Sequence, residues 1–161
     1  MLFRSRRLEQ TIRKEPAYWL WSHKRWKLKR PYVRYTRADE KNVRKADCLI
    51  IDCFGLLSSI YRYGEIAYIG GGFGVGIHNT LEAAVYGIPV IFGPKYQKFQ
   101  EAIQLLEAKG AFSVKDYEEL KTLIDRMLTD EVFLRESGMN ASNYVTGNAG
   151  ATDKIMSMIN F

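Results

Sequence analysis

The feature that most constrains the fold is the alternation of short apolar runs with longer helical patterns beyond residue 46. Such runs, rich in β-branched and aromatic residues, are typical of strands. Because they are apolar throughout rather than alternating, they suit parallel strands that helices cover on both faces. The predicted strands are residues 48–52, 66–69, 89–92 and 111–114.

Apolar residues at helical spacing predict the helices between and after these strands. Gly64, Gly87 and Gly110 lie where the first three helices should end, and residues 147–150 form a turn before the last. The sequence therefore predicts an α/β fold, a Rossmann-like parallel sheet with flanking helices. The predicted helices are residues 56–63, 80–86, 98–109, 116–128, 131–136 and 151–159.

Charge is distributed unevenly along the chain. Residues 1–45 contain 15 Lys or Arg against 4 Asp or Glu, whereas residues 46–161 contain 9 against 14. The basic segment can favour anionic lipid headgroups or nucleic acid, and charge alone does not choose between them. Within it, a helix is predicted around residues 6–15.

Three tryptophans stand among the lysines and arginines of residues 18–30, at Trp19, Trp21 and Trp26. This pattern favours a membrane surface, where indole rings and cations both lie in the headgroup region. The same residues would also suit a helix that packs on a domain. No stacking platform or groove for a base is evident, so nucleic acid is not an expected partner.

Other chemistry is limited by composition. Cys48 and Cys53 have no His or third Cys at a zinc-like spacing, so we expect buried free thiols in a reducing cytoplasm and no metal site. No run approaches the roughly 20 apolar residues that cross a bilayer. A soluble or membrane-surface protein is expected.

The candidate functional segment is the glycine-rich run 70–82, between a predicted strand and a predicted helix. Glycine lets a ligand approach the backbone closely, and the helix start would offer N–H groups to a phosphate. The spacing matches neither the dinucleotide fingerprint nor the P-loop, so a ligand-binding loop and a merely tight turn both stay open. The glycines of interest are Gly71, Gly72, Gly74 and Gly76.

Polar residues at the end of this run have two interpretations each. Asn79 and Glu82 suit an N-cap with a reciprocal Glu, but Glu82 would also accept hydrogen bonds from the vicinal hydroxyls of a ribose. His78 can donate to a phosphate or sugar oxygen, or pack in the turn. Lys95 and Lys98 follow the next strand, where they would meet an anionic ligand or remain solvated.

These residues carry a family resemblance. The segment DCLIIDCFGLLSSIYRYGEIAYIGGGFGVGIHNTLEAAVYGIPVIFGPKYQKFQEA resembles the donor-side domain of Kdo (3-deoxy-manno-octulosonic acid) transferases, glycosyltransferases of the GT-B class. The resemblance extends from about residue 34 to the end of the chain and includes the turn at 148–152. It implies transfer of Kdo from CMP-Kdo to a lipid A precursor in lipopolysaccharide biosynthesis, with no cofactor and no metal in the transfer step.

The resemblance also implies site roles. The loop 71–76 with His78 and Asn79 would face the phosphate and sugar acid, and Glu82 would face the ribose. Pro94, Lys95 and Lys98 would form the crevice wall. The protein would work in the cytoplasm or at the cytoplasmic face of the bacterial inner membrane.

The sequence departs from a complete GT-B enzyme. The acceptor-side domain of the family supplies the expected catalytic carboxylate, and nothing here matches it, so no catalytic residue is assigned. The first donor-domain strands, expected before residue 34, are also missing. We expect a donor-domain fragment that is inactive alone. The alternatives are a non-catalytic membrane-surface module and a GT-B transferase for another nucleotide sugar.

The first 33 residues have a different resemblance. The segment RRLEQTIRKEPAYWLWSHKRWKLKRP resembles the C-terminal tail of lipid A acyltransferases of the lysophospholipid type. The sequence therefore predicts a basic aromatic arm, 1–33, followed by a partial GT-B nucleotide-sugar-binding domain, 34–161. A genuine fusion and a rearranged gene would both give this order.

Overall fold

The computed structural model describes residues 31–159, and the predicted helix at 6–15 and the basic aromatic run 18–30 lie outside them. Within the described residues five short strands form two parallel sheets. One sheet pairs β1 with β2, and the other has the order β3-β4-β5. The strands are β1 Tyr32–Arg34, β2 Cys48–Ile50, β3 Ala67–Ile69, β4 Val90–Phe92 and β5 Ala111–Ser113.

Helices connect and follow these strands. Two short 3₁₀ helices, Tyr35–Arg37 and Tyr61–Tyr63, add to them. Each parallel connection in the larger sheet carries a helix, as parallel strands require. The helices are α1 Glu40–Val43, α2 Leu57–Ile60, α3 Leu81–Ala84, α4 Gln100–Glu107, α5 Tyr117–Thr129, α6 Glu131–Gly147 and α7 Ala151–Met158.

The core lies on both faces of the larger sheet. Val90 and Phe92 pack with Leu105 of α4 in one apolar cluster. Ile91, between them in β4, packs with Met127 of α5 in the other. Because successive strand residues point to opposite faces, this division shows that helices cover both sides of β4. The predicted α/β class, with parallel sheets and flanking helices, is confirmed.

Strand β1 was not predicted. It lies across the proposed boundary near residue 33 and pairs with β2 in register, Val33 opposite Leu49. The expectation that the first donor-domain strands are missing before residue 34 stays a prediction, and the structure adds that one strand, β1, begins there. Only Val33 of β1 is buried, so the pairing of β1 with β2 depends on backbone hydrogen bonds more than on apolar contact.

Two helix ends also differ from the prediction. α6 continues to Gly147 rather than ending at 136, because Ser137, Gly138 and Ala141 are small enough to be buried against the domain. After α4 the left-handed residue is Lys109, with φ 58°, one position before the predicted Gly110. The turn before α7 is reduced to residues 148–150, where Gly150 has φ 88°.

Cys48 and Cys53, both within the described part, are half-buried rather than buried and are not disulfide-bonded. Among residues 31–159 no helix combines the length and the apolar character that crossing a membrane requires.

Candidate functional site

The glycine-rich loop leaves the carboxyl end of β3 and folds back on itself. The Gly74 N–H donates to the Gly71 carbonyl over 2.8 Å, and the His78 N–H donates to the Gly70 carbonyl over 3.2 Å. Gly71 has φ 97°, in the left-handed region, and a Cβ there would overlap the carbonyl oxygen of Gly76. A side chain at Gly71 is excluded by both conditions, so the tight turn requires glycine.

A second loop, residues 93–99 after β4, lies against the glycine loop. The Lys95 N–H donates to the Gly72 carbonyl over 2.9 Å. The two backbones approach so closely that a Cβ on Gly72 would lie 2.6 Å from the Gly93 nitrogen. Both loops leave adjacent parallel strands at their carboxyl ends, which is where open α/β sheets bind ligands.

Asn79 and Glu82 interact directly. Oδ1 of Asn79 accepts the Leu81 N–H over 3.0 Å, and Nδ2 donates to Oε1 of Glu82 over 3.1 Å. Asn79 thus satisfies one N–H at the start of α3, as an N-cap would. Glu82 bonds to the Asn79 side chain instead of reaching back to its backbone, so the arrangement is not a reciprocal capping box.

Helix α3 is too short to contribute much to phosphate binding. It contains the 4 residues Leu81–Ala84, fewer than the predicted 80–86. A macrodipole grows from aligned peptide units, so one turn supplies little of it. The expectation that this helix start binds phosphate loses that support, and an anion would depend on the loop and on side chains.

The candidate site residues differ in their exposure to solvent. His78, Asn79, Lys95 and Lys98 are exposed, and Glu82 and Pro94 are half-buried. Among the glycines, Gly71 and Gly74 are exposed, Gly76 is half-buried and Gly72 is buried. The structure therefore brings the glycine loop against the loop that carries Pro94 and Lys95, with charged and polar side chains open to solvent.

Sequence reasoning missed four residues around these loops. Gly93 makes the backbone contact with Gly72, and the ring of Phe99 lies against Gly76. Thr80 is 1% exposed, and its Oγ1 has no hydrogen-bond partner within the described part of the chain. Burial raises the pKa of Tyr61, and the negative charge of Glu82 adds to the rise. Of these four residues, only Gly93 could have been found from the sequence, because it directly follows an apolar run that predicts a strand.

No cluster of three or more His, Cys, Asp or Glu residues within 31–159 is arranged to hold a metal ion.

Comparison with known proteins gives one consistent result, although no family model matches the chain. The chain is 41% identical over 87 residues to the 3-deoxy-D-manno-octulosonic acid transferase of Aquifex aeolicus (strain VF5), covering 53% of this chain and 25% of the relative. It is 31% identical over 116 residues to that of Rickettsia bellii, covering 70% and 28%. The chain thus spans about a quarter of the length of these curated relatives.

The fold is also found in a solved structure, the C-terminal CMP-Kdo binding domain of WaaA from Acinetobacter baumannii. The TM-score is 0.60 at 18% identity, with 72% of this chain and 61% of that chain covered. The predicted resemblance to Kdo transferases and to the C-terminal domain of a GT-B glycosyltransferase is confirmed. The resemblance of residues 1–33 to acyltransferase tails stays a prediction.

Proposed function

We propose, from this relationship to Kdo-transferring glycosyltransferases, that the described domain binds CMP-Kdo as the donor side of a Kdo transferase. The observation that carries the proposal is the contact between the two loops at the carboxyl ends of β3 and β4. It creates one continuous backbone surface at the edge where nucleotide ligands bind in open parallel sheets. The named ligand of the solved domain with this fold supports the same donor.

The anionic part of the donor would lie along the glycine loop. The Gly74 and His78 N–H groups already donate within the loop, so they do not serve an anion. The exposed side chains of His78 and Lys95 would supply charge and hydrogen bonds instead, with Lys98 further along the second loop. Pro94, half-buried between Gly93 and Lys95, would form part of the wall.

The ribose would bind at Glu82. Asn79 donates to Oε1, so we assign the other oxygen, Oε2, to a ribose hydroxyl. A carboxylate accepts several hydrogen bonds through its two oxygens, which suits both partners at once. The cap made by Asn79 and the ribose contact made by Glu82 are therefore compatible.

Transfer to a lipid A precursor is proposed for the whole protein rather than for these residues. The chain spans about a quarter of its relatives, and the resemblance implies that the expected catalytic carboxylate belongs to the acceptor-side domain. The site proposed here positions the donor, and positioning and charge stabilisation would lower the barrier once an acceptor is present. No residue described here is assigned to catalysis.

Residues 18–30 suggest where this chemistry would occur. Their tryptophans and basic side chains suit anionic headgroups, and this composition supports our proposal that the protein works at the cytoplasmic face of the inner membrane. Sedimentation with anionic liposomes should fall with added salt and be lost when residues 1–30 are deleted. Binding that survives the deletion would contradict this part of the proposal.

The test of donor binding is calorimetric titration of the 161-residue chain with CMP, with UMP as the matched control. We expect selective binding of CMP. Equal or tighter binding of UMP would contradict the Kdo assignment and favour another nucleotide sugar. No binding by a chain that unfolds cooperatively would overturn the donor site itself.

A further inference from the structure

We propose that Phe99 is a positioning residue, which fixes the glycine loop in the shape that receives the donor. The inference rests on the proposed function and names a residue that acts on the same site without contacting the ligand. The inference depends on how the loop is held at two glycines, Gly72 and Gly76, and on the contact of the Phe99 ring with Gly76.

The edge of the Phe99 ring lies directly against the backbone of Gly76. A Cβ at Gly76 would be 2.8 Å from Cε2 and 3.0 Å from Cζ of Phe99, closer than side-chain contacts normally come. Gly76 therefore leaves space for the ring, and no ligand is needed to explain why this position is glycine. The contact is made by the protein with itself.

The Phe99 ring is well placed to hold a loop, because its own position is fixed. The Phe99 N–H donates to the Tyr96 carbonyl over 2.8 Å, and its carbonyl accepts from Ala102 and Ile103 at 3.1 and 3.2 Å, at the start of α4. The side chain packs on the apolar cluster that contains Phe92 and Leu105. Phe99 is half-buried, and its packing on this cluster limits how far the ring can move.

The part of the loop that Phe99 contacts lies between the two backbone hydrogen bonds of the loop described above. These backbone hydrogen bonds are donated by Gly74 and His78, on either side of Gly76. Val75 is fully exposed and Ile77 is buried, so the chain turns from solvent to core at Gly76. The ring fixes the point of that turn, while Lys95 fixes Gly72.

A loop held at Gly72 and at Gly76 keeps the intervening peptide groups and the following His78 in one arrangement. A hydrocarbon ring cannot recognise an anion, so its effect on a nucleotide must pass through the loop. Loss of the ring would let the loop take more conformations, and binding would then have to order it.

The test uses Phe99→Leu in the 161-residue chain, with Leu106→Ala as the matched control. Leu106 is half-buried on α4, the helix that follows Phe99, and packs on the same cluster. Phe99→Leu should weaken CMP binding about tenfold and speed amide exchange at Gly74 and His78, but not at Ile91 in the centre of the sheet. Leu106→Ala should lower Tm and change neither quantity.

A double-mutant cycle with Gly76→Ala adds a rescue. In the parent chain the new methyl group meets the ring and should weaken CMP binding; in Phe99→Leu the same change should do less harm. If Phe99→Leu behaves as Leu106→Ala does, with lower Tm, unchanged affinity and unchanged loop exchange, Phe99 is a core residue and the proposal is overturned.

The two proposals can fail separately. If the parent chain binds no CMP, donor binding fails, and the exchange rates at Gly74 and His78 still decide the role of Phe99. Faster exchange confined to the loop supports it, and unchanged exchange overturns it.

Discussion

Asn79 donates a hydrogen bond from Nδ2 to Oε1 of Glu82 over 3.1 Å. The other end of the same amide accepts the Leu81 N–H over 3.0 Å. One side chain therefore both ends the glycine loop and orients the carboxylate that follows it. Because the orientation exists without a ligand, a ribose would meet a carboxylate that is already in place.

Glu82→Gln should weaken CMP binding with little effect on stability. The glutamine oxygen still accepts from Asn79, so the free energy of unfolding should change by no more than about 0.5 kcal/mol. The lost charge weakens the hydrogen bonds to ribose hydroxyls, so affinity for CMP should fall about tenfold. Calorimetry measures the affinity, and urea unfolding measures the stability.

The control for net charge is Glu107→Gln, which changes an exposed carboxylate at the far end of α4. A lower Tm with unchanged affinity would show that Glu82 serves the helix alone.

Asn79→Asp and Asn79→Ala should separate the cap from the orientation of Glu82. Aspartate keeps an acceptor for the Leu81 N–H but loses the donor to Glu82, so affinity for CMP should fall while stability stays within about 0.5 kcal/mol. Alanine loses both bonds and should also destabilise the protein by about 1 kcal/mol. If the two variants bind CMP as the parent does, the Asn79 to Glu82 bond has no part in binding.

Gly71→Ala and Gly74→Ala should differ, although both change the same loop. Gly71 has φ 97° and no space for a Cβ, so alanine there should cost about 1–3 kcal/mol. At Gly74 a Cβ would make only an ordinary contact, 3.6 Å from the Gly71 oxygen. Gly74→Ala should therefore leave Tm unchanged and lower CMP affinity several-fold if the ligand lies on the loop. Unchanged affinity would place the donor elsewhere.

Gly138→Ala should destabilise the protein although alanine is the better helix former. In the middle of α6 the propensity gain is about 1 kcal/mol, but a Cβ would overlap the carbonyl oxygen of Gly87. We expect a net loss of about 1–3 kcal/mol in urea unfolding. Gly147, at the end of the same helix, has nothing within 4 Å of a Cβ, so Gly147→Ala should be neutral or stabilising. Equal effects at both positions would show that α6 does not pack closely on Gly87.

The sheet formed by β1 and β2 should be sensitive to acid through Asp52. Its carboxylate accepts the Thr36 N–H over 3.1 Å and the Thr36 hydroxyl over 2.8 Å. These bonds lower the pKa of Asp52 below its ordinary value of 3.8. A lowered folded-state pKa gives stability that is complete above the unfolded pKa and is lost as pH falls through the folded one.

Asp52→Asn should therefore lose less stability than the parent chain between about pH 6 and about pH 3. Thr36→Val, which keeps the backbone bond and removes the hydroxyl, should give an intermediate pH dependence. Urea unfolding at several pH values measures both. An identical pH dependence in the parent and in Asp52→Asn would contradict the role of this carboxylate.

The apolar runs predicted four strands well, because a buried parallel strand needs little besides continuous apolar residues. Strand β1 was not predicted, because only Val33 of Tyr32–Arg34 is buried. Backbone pairing alone produces no apolar pattern in the sequence. The full length of α6 was not predicted, because Ser137 and Gly138 interrupt the spacing of its apolar residues. These two residues are buried because they are small, and their burial depends on the surface that packs against them.

The glycine loop shows a deeper limit of sequence reasoning. Its glycines suggested space for a ligand, yet Gly72 and Gly76 make space for Gly93 and Phe99 of the protein itself. Sequence alone cannot distinguish the two, because both require an absent side chain. Gly74, whose Cβ would meet nothing closely, is the glycine that best matches the original expectation.

The contact between Gly72 and Gly93 limits how this protein can evolve. Neither position accepts a methyl group while the other backbone stays in place, and replacing one does not make room for replacing the other. When two side chains pack together, a larger one can be compensated by a smaller partner. Neither glycine of this pair can become smaller, so a substitution at one position cannot be compensated at the other. We expect both positions to stay glycine in any descendant that keeps the two loops together, however far the exposed lysines beside them diverge.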